Sequence, residues 1–432
     1  MKKKIPLARL SSKSLQKFNE YFDFFKDAFI QRDAIILRIK YAIAMKEHIL
    51  LKGKPGVAKS DLAMAILKNI DGAKVFKQQF TSFMDESYLF GPQILEELKK
   101  GNIMHNTKNS IVDCHFAFLD EFFNANEETI IAGNSLLNER EFIRNSQHEK
   151  SDIMTAIMTT NRSRENEDKL RPIYDRIIFN AVVSNVEGNR NRLYGLPKGR
   201  LEVPDEVKLT LEEIQEVQKL IDEEIDKIDL DNIIVEQFDA ILKKFEQSAV
   251  IYMSDRKALK YFRAFKMLIF FRDGDIKQAV KDLYDVIPTL GTEEEDAFGK
   301  AMFGPMKEIE DYINSTLMAN EVEGNLGELE STVDKLKVKA LVKKDFADIE
   351  NICLAVSEIQ QEIRNIPSEG LKQALLSRSQ SLTITMSGTR GEYSQKFLPK
   401  KGKLPRVVVE EHTLAQDDSE LDWINELRNK II

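Results

Sequence analysis

Cysteine and histidine are scarce in this sequence, and their scarcity excludes two kinds of structure. Two cysteines, Cys114 and Cys353, occur among 432 residues, so a framework of disulfide bonds is excluded and a reducing, cytoplasmic location is expected. The five scattered histidines add few further ligands, so the sequence does not predict a structural zinc site.

Long apolar runs and a strong positive charge are also missing. No run approaches the roughly 20 apolar residues of a membrane-spanning helix, and the basic start at residues 2–4 lacks the apolar core of a signal peptide behind it. The net charge of −8 argues against strong non-specific binding to nucleic acid. We therefore expect neither a membrane span nor a nucleic-acid partner.

Strand-like and helical segments alternate over the first 200 residues. This alternation predicts an α/β fold with a mostly parallel sheet and helices on both faces. Two helices are expected over 13–48, one after the loop at 53–60, and one over 126–137. The strand-like segments are 49–51, 74–80, 111–113, 116–119, 153–159 and 177–183.

The character of the sequence changes after Pro204. Residues 1–204 are predicted to form the α/β domain, and 205–296 an all-helical domain that ends in an acidic turn at 291–296. A helical extension is expected over 297–380. The remaining residues, 381–432, are expected to form a tail with short strands at 382–386 and 407–409 and a terminal helix at 420–432.

The segment 53–60 has the pattern of a phosphate-binding loop. Gly53, Pro55 and Gly56 force a turn after an apolar strand, which would direct backbone N–H groups toward an anion. Lys59 is expected to reach the β- and γ-phosphates of a nucleotide, and the hydroxyl of Ser60 to bind Mg²⁺. The cofactor-binding set is completed by Val57, Ala58 and Asp61, where Ala58 replaces the second glycine of the usual pattern. The alternative is a glycine-rich turn that arose by chance.

A pair of carboxylates follows the apolar segment 116–119. Asp120 is expected at the carboxyl edge of the sheet, where it would hold Mg²⁺ beside Ser60. Glu121 would polarise the attacking water as general base. An acidic strand end without function is the alternative, but the spacing of about 60 residues from Lys59 is typical of a hydrolytic nucleotide site.

Three further residues are candidates for catalysis. The side chain of Asn161 ends a strand and could orient the lytic water, although an Asn there is more often a turn residue. Arg176 could be an arginine finger for a neighbouring subunit, or could form an ion pair within its own chain with Asp175 or a nearby residue. Arg256 lies in the first turn of a helix capped by Ser254, where a cation is disfavoured unless it faces a phosphate; a plain surface arginine is equally compatible.

Taken in order, these motifs resemble a MoxR-type AAA+ ATPase, most closely the RavA branch. The resemblance covers residues 10–290. The carrying segments are 53–60, Leu-Phe-Gly-Pro at 89–92, Phe-Leu-Asp-Glu at 118–121, Leu-Leu-Asn-Glu-Arg-Glu-Phe at 136–142, Thr-Thr-Asn at 159–161, Tyr-Asp-Arg at 174–176 and Ser-Asp-Arg at 254–256.

The resemblance implies a ring, usually a hexamer, with ATP and Mg²⁺ held between subunits. It also implies a helix-2 insert at 89–108 and a hairpin insert at 140–152, both of which commonly face the pore or the substrate. The implied roles are Walker A for Lys59 and Ser60, Walker B for Asp120 and Glu121, sensor 1 for Asn161, the finger for Arg176, sensor 2 for Arg256, and a contact to adenine near Arg32.

The resemblance also suggests what the protein does. MoxR proteins are thought to be chaperone-like remodellers that often act with a von Willebrand factor A protein. The alternative is a nucleotide-gated scaffold that binds a partner without unfolding it, and a nucleic-acid motor is disfavoured by the acidic balance. Met84, Tyr88 and Phe90 are the candidates for aromatic or apolar contacts in a pore, and the equally compatible alternative is that they are packing residues.

Overall fold

The computed structural model describes residues 12–145, 147–161, 170–186, 188, 203–249, 253–288, 293–339, 346–366 and 369–397. The chain divides into two compact units, which meet in sequence at residues 309 and 310. Each unit is described by itself below. In these ranges no helix has the length and apolarity that a bilayer crossing requires.

The first unit contains a five-stranded parallel sheet. Its strands follow the order β3-β4-β7-β1-β8, and every neighbouring pair is parallel. The strands are β1 (Ile49–Lys52), β3 (Val75–Gln79), β4 (Phe116–Asp120), β7 (Thr155–Thr160) and β8 (Phe179–Val182), and the short β2 (Ile70–Asp71) lies outside this sheet.

Helices pack on the sheet, and its central strands β4, β7 and β1 are almost entirely buried. β7 is buried along its whole length, which is typical of a parallel strand covered on both faces. The helices of this part are α1 (Lys13–Ala28), α2 (Asp33–Ala44), α3 (Lys59–Lys68), α4 (Ser87–Phe90), α5 (Leu95–Lys99), α6 (Glu127–Glu139) and α7 (Arg171–Arg176). The predicted α/β fold with a parallel sheet is confirmed. The strand expected at 111–113 is wrong, because these residues form turns.

A hairpin lies outside the main sheet. Its strands, β5 (Glu141–Arg144) and β6 (Gln147–Lys150), pair antiparallel, as predicted for residues 140–152. The hairpin follows α6 directly, because Arg140 ends that helix in the left-handed conformation with φ 54°.

Among the described residues between 203 and 288, four helices and a 3-10 turn follow the sheet. A short strand β9 (Leu209–Thr210), which the sequence did not signal, pairs in parallel with β2. Thr210 then caps the next helix in a reciprocal bond with Glu213. The elements are α8 (Leu211–Lys227), α9 (Asn232–Ala249), α10 (Asp255–Phe271), α11 (Ile276–Lys281) and the 3-10 turn Asp282–Asp285.

The rest of the described chain is helical. α12 (Glu293–Lys339) begins inside the acidic segment that we expected to form a turn at 291–296, and α13 (Phe346–Arg364) and α14 (Glu369–Phe397) follow. α12 continues across residue 296 and α14 across residue 380, two positions at which we predicted domain boundaries. Residues 398–432, with the predicted strand at 407–409 and helix at 420–432, lie outside the described ranges.

The strand predicted at 382–386 is wrong, because these residues belong to α14. Apolar residues alternate with threonine at 382–386, which is typical of a strand, yet burial follows the helical spacing: Leu375, Leu382 and Met386 are buried, whereas Ile384 is 74% exposed. The buried side chains pack in one cluster with α13. The helical period of the apolar side chains therefore determines the structure here.

Candidate functional site

Three neighbouring strands end at one edge of the sheet and bring the predicted site residues together. β1 leads into the loop at 53–58, β4 ends at Asp120, and β7 ends one residue before Asn161. Because parallel strands share their direction, their carboxyl ends meet at the same edge. Lys52 pairs with Thr160 and Leu119 with Met158, so the three strand ends are in register.

The loop is held against the sheet at its first residue. The N–H of Gly53 donates to Thr160 O at 3.0 Å, and the backbone of Val183 passes so close that a Cβ at residue 53 would lie 2.4 Å from its carbonyl oxygen. Pro55, Gly56 and Ala58 are exposed on the open side of the loop, whereas Val57 is buried.

Ala58 takes the place of a glycine in conformation as well as in sequence. It lies in the left-handed region with φ 64° and ψ 28° and immediately precedes α3. For a residue with a Cβ this conformation costs about 1–2 kcal/mol. The loop therefore carries some strain, which the small alanine side chain keeps low, before it turns into the helix whose first turn contains Lys59, Ser60 and the exposed Asp61.

Lys59 lies across the loop. Its Nζ donates to Gly53 O and, at 3.1 Å, to Lys54 O. Burial lowers the pKa of the Lys59 ammonium from its usual range, and the charges of Glu121 and Asp120 oppose this shift. A cation that is partly desolvated beside the loop is well placed to attract phosphate.

Ser60 and Asp120 meet beneath the loop. Ser60 Oγ lies 3.3 Å from Asp120 Oδ2 and 3.5 Å from Oδ1. A hydroxyl and a carboxylate are oxygen ligands of the kind that Mg²⁺ takes while keeping several waters. The donor set therefore fits the metal that the sequence predicts at these two residues.

Glu121 is held in an unusual position. Its backbone is in the left-handed region, with φ 53° and ψ 39°, which again costs about 1–2 kcal/mol. Its carboxylate accepts a bond from the backbone N–H of Asn161 at 3.0 Å and from Asn124 Nδ2 at 3.3 Å. Asn161 thus contacts the predicted general base through its backbone, and its exposed side chain stays accessible to a ligand.

Thr159 and Asn124 also contact the acidic pair and were missed by the sequence analysis. Thr159 Oγ1 bonds both Asp120 and the N–H of Glu121, and Asn124 lies in the 3-10 turn Phe122–Asn124. The sequence carries no local signal for the role of Thr159, because its contact depends on the register of the sheet, in which pairing of residue 119 with 158 places residue 120 beside 159.

Arg32 is placed on the loop, although by contacts different from those expected. Its guanidinium donates to Val57 O at 3.3 Å and to Ser184 O at 2.8 Å, and it is buried. Burial lowers the pKa of this guanidinium. These bonds brace the phosphate loop against the chain after β8, and the contact to adenine stays a prediction.

Arg176 and Arg256 lie on two segments that are tied together. Asp175 Oδ2 accepts a hydrogen bond of 2.5 Å from Ser254 Oγ. Lys260 Nζ forms an ion pair with Glu47 and also donates to Arg176 O at 3.3 Å. Within the described part of the chain Arg176 forms no ion pair, so the expected alternative of pairing with Asp175 is not observed there. Arg256 is exposed, and Ser254 caps its helix as predicted.

The two inserts pack against each other. Phe90 packs against Phe142 of the hairpin with ring centroids 4.8 Å apart and the rings tilted by 43°. The backbone N–H of His105 donates to Gln147 Oε1 at 2.7 Å, and Gln147 Nε2 donates to His105 O at 2.9 Å. Phe90 is therefore a core residue. Met84 is partly buried, and Tyr88 is 50% exposed, while Phe83, which the sequence analysis did not single out, is 95% exposed.

Comparison with known proteins supports the same family. The domain described as "MoxR domain in the MoxR-vWA-beta-propeller ternary systems" matches residues 16–222. Uncharacterized protein MJ0079 of Methanocaldococcus jannaschii is 28% identical over 83% of this chain and 92% of its own length. Uncharacterized protein MJ0812 of the same organism is 30% identical over 69% of this chain and 77% of its own.

A solved structure agrees with the fold. A provisionally assigned ATPase from Cytophaga hutchinsonii superposes with a TM-score of 0.51 at 19% identity, over 68% of this chain and 96% of that one. At this level of identity, the likeness between the two proteins concerns the fold alone. With the sheet order, the site geometry and the domain match, these findings show that the chain belongs to the MoxR family of AAA+ ATPases.

Proposed function

We propose that this protein binds ATP with Mg²⁺ and hydrolyses it at the edge of the sheet. One observation carries the proposal: Ser60 and the Asp120–Glu121 pair converge beneath a glycine loop that Lys59 crosses. The membership in a family of AAA+ ATPases supports it. An acidic strand end without function would not bring these groups together.

The residues divide the chemistry among them. The loop N–H groups and Lys59 hold the β- and γ-phosphates, while Ser60 and Asp120 hold Mg²⁺. When bound, Mg²⁺ withdraws charge from the phosphate oxygens. Glu121 accepts a proton from the attacking water, and its bond to the Asn161 N–H keeps its carboxylate at the strand end.

We infer further that the site is completed by a second subunit in a ring. Arg176 of that second subunit is the arginine finger, whereas Arg256 acts on the nucleotide bound to its own subunit. Arg176→Ala and Lys59→Ala should each abolish turnover, and mixing them should restore part of it, because some interfaces then combine an intact loop with an intact arginine. If the mixture stays inactive, Arg176 acts within its own subunit. Assembly into hexamers with ATP is expected by sedimentation.

The partner we propose is a von Willebrand factor A protein, which this ATPase would remodel. The description of the matching domain, which names MoxR-vWA systems, supports this partner. The exposed side chain of Phe83, in the loop after β3, is available for an apolar contact with it. The closer assignment to the RavA branch rests on the motifs at 89–92 and 136–142. A cytoplasmic location also stays a prediction.

A nucleotide-gated scaffold is the second candidate. One experiment separates the remodeller from the scaffold. The Glu121→Gln protein with ATP is used to capture partners, and each captured partner is then incubated with the wild-type protein and ATP. A captured partner that becomes protease-sensitive only during ATP turnover supports remodelling, and Phe83→Ala should then lower that effect. A partner that binds according to nucleotide and stays folded throughout supports the scaffold. Binding of nucleic acid by the same protein would favour a motor.

A further inference from the structure

Thr159 lies near the end of β7, beside the acidic pair of the site. It is the fifth residue of β7, its side chain is fully buried, and it lies beside the end of β4 because Leu119 pairs with Met158. A buried hydroxyl needs hydrogen-bond partners. The partners of this one are the two acidic residues of the site.

Both hydrogen-bonding functions of the hydroxyl are used. Thr159 Oγ1 donates to Asp120 Oδ1 at 2.5 Å and accepts from the N–H of Glu121 at 3.0 Å. A threonine hydroxyl has one hydrogen to donate and lone pairs to accept, so a single rotamer satisfies both bonds. The two bonds act on different parts of the site, namely the carboxylate of Asp120 and the backbone of Glu121.

The first bond orients the carboxylate of Asp120. With Oδ1 bonded to Thr159, Oδ2 is the carboxylate oxygen nearer to Ser60 Oγ, at 3.3 Å. Without the Thr159 hydroxyl the carboxylate could rotate, because the contacts to Ser60 are long. The orientation of the predicted magnesium ligand therefore depends on a residue that would not itself touch the metal.

The second bond holds the backbone at Glu121. This residue has the left-handed φ of 53°, which persists only where the surroundings determine it. Its carboxylate is restrained separately, by the Asn161 N–H and by Asn124. The Thr159 bond is the contact that restrains the Glu121 N–H itself.

We propose that Thr159 is a positioning residue for the magnesium nucleotide, setting the carboxylate of Asp120 and the backbone of Glu121 through one hydroxyl. This inference rests on the proposed function. Thr159→Val keeps the size and branching of the side chain and removes both bonds. Loss of a residue that orients metal ligands typically lowers metal affinity or activity about 10- to 100-fold.

The experiment measures Mn²⁺ binding to the ADP-bound protein by electron paramagnetic resonance, and ATP turnover against Mg²⁺ concentration. In Thr159→Val we expect Mn²⁺ affinity to fall about tenfold and maximal turnover about 10- to 100-fold. Binding of ADP in EDTA should stay within about threefold of wild type, because the loop that holds the phosphates is unchanged. Thr159→Ser keeps the hydroxyl and should restore both readouts.

Thr155→Val is the matched control. Thr155 lies at the other end of the same strand, is also fully buried, and donates to Ala42 O at 3.3 Å. The same substitution there removes a buried hydrogen bond without touching the acidic pair. It should therefore reproduce any general loss of stability and leave Mn²⁺ affinity and turnover near the wild-type values.

Equal Mn²⁺ affinity and turnover in Thr159→Val and Thr155→Val would overturn the inference. If Thr159→Val does not fold, Thr159→Ala is tested against Thr155→Ala by the same criterion. A wild-type protein that binds Mn²⁺ with ADP and hydrolyses no ATP would refute the proposed hydrolysis, while the Mn²⁺ affinities would still decide the role of Thr159.

Discussion

Gly53→Ala should disturb the phosphate loop by a contact whose size the structure gives. A Cβ at this position would lie 2.4 Å from Val183 O, whereas real Cβ atoms essentially never come closer than 3.0 Å. The obstructing atom is backbone, and the N–H of Val183 donates to Lys52 O at 2.7 Å, so this part of the chain is held against β1. The loop or the end of β8 must therefore move by about 0.6 Å or more, which costs about 1–3 kcal/mol of stability.

The displaced loop should bind nucleotide poorly. Gly53 O accepts a hydrogen bond from Lys59 Nζ, so a shift of residue 53 moves the lysine and the neighbouring N–H groups together. Misplacement of binding groups on the order of 1 Å can cost about a hundredfold. We expect ATP affinity, measured by isothermal titration, to fall by about 10- to 100-fold.

Gly101→Ala separates this effect from general destabilisation. Gly101 has φ +86°, and a methyl group at this position would meet no heavy atom within 4 Å, so alanine there adds backbone strain of about 1–2 kcal/mol without a clash. Urea denaturation should show similar losses for both variants, but only Gly53→Ala should lose ATP affinity. If Gly53→Ala binds ATP as Gly101→Ala does, the loop is not held as described.

Three further predictions concern His48, Asp175 and Arg32. Burial lowers the pKa of His48 from 6.5 to about 3, and its ring accepts a hydrogen bond from the N–H of Ala156. As the pH drops from 6.5 toward 3 the unfolded chain takes up a proton before the folded one, so the free energy of unfolding should fall by up to about 1.4 kcal/mol per pH unit. In His48→Gln the dependence of the unfolding free energy on pH should be weaker by that amount, and equal pH dependence in both proteins would contradict this prediction. Asp175→Ala removes the hydrogen bond from Ser254 and should lower ATP turnover about tenfold. Asp175→Asn keeps an acceptor for this bond and should retain most of the turnover. Equal turnover in the two variants would exclude a role for the hydrogen bond between Ser254 and Asp175. Arg32→Met should lower the free energy of unfolding, measured by urea denaturation, by about 1–3 kcal/mol, because the guanidinium donates to two backbone carbonyls that would lose their partner. Unchanged stability together with a lost preference for ATP over GTP would indicate that Arg32 acts through the expected adenine contact instead.

The sequence predicted those parts of the site that depend on local patterns. Apolar runs identify β1, β4 and β7, and the residues directly after two of them supply the loop and the acidic pair. Once the strands are parallel, their carboxyl ends must meet at one edge. This reasoning placed Lys59, Ser60, Asp120 and Glu121 on that edge, and the structure agrees.

Contacts between distant segments were beyond reach because they depend on register and packing. The hydroxyl of Thr159 meets Asp120 only because two strands align at a particular offset. The bond between Ser254 and Asp175 joins residues 79 positions apart, which no local pattern encodes. For the same reason Phe90, an expected contact residue, is buried against the hairpin, while its neighbour in the loop, Phe83, is exposed.

The central claim, that the site hydrolyses ATP with Glu121 as base, is tested most directly by the Glu121→Gln protein. Glutamine keeps the size of the side chain and cannot accept the proton, so turnover should fall about 10²- to 10⁴-fold. Binding of ATP with Mg²⁺ should remain within about threefold of wild type, because the loop, Ser60 and Asp120 are intact. Turnover of the variant at the wild-type rate would contradict the account.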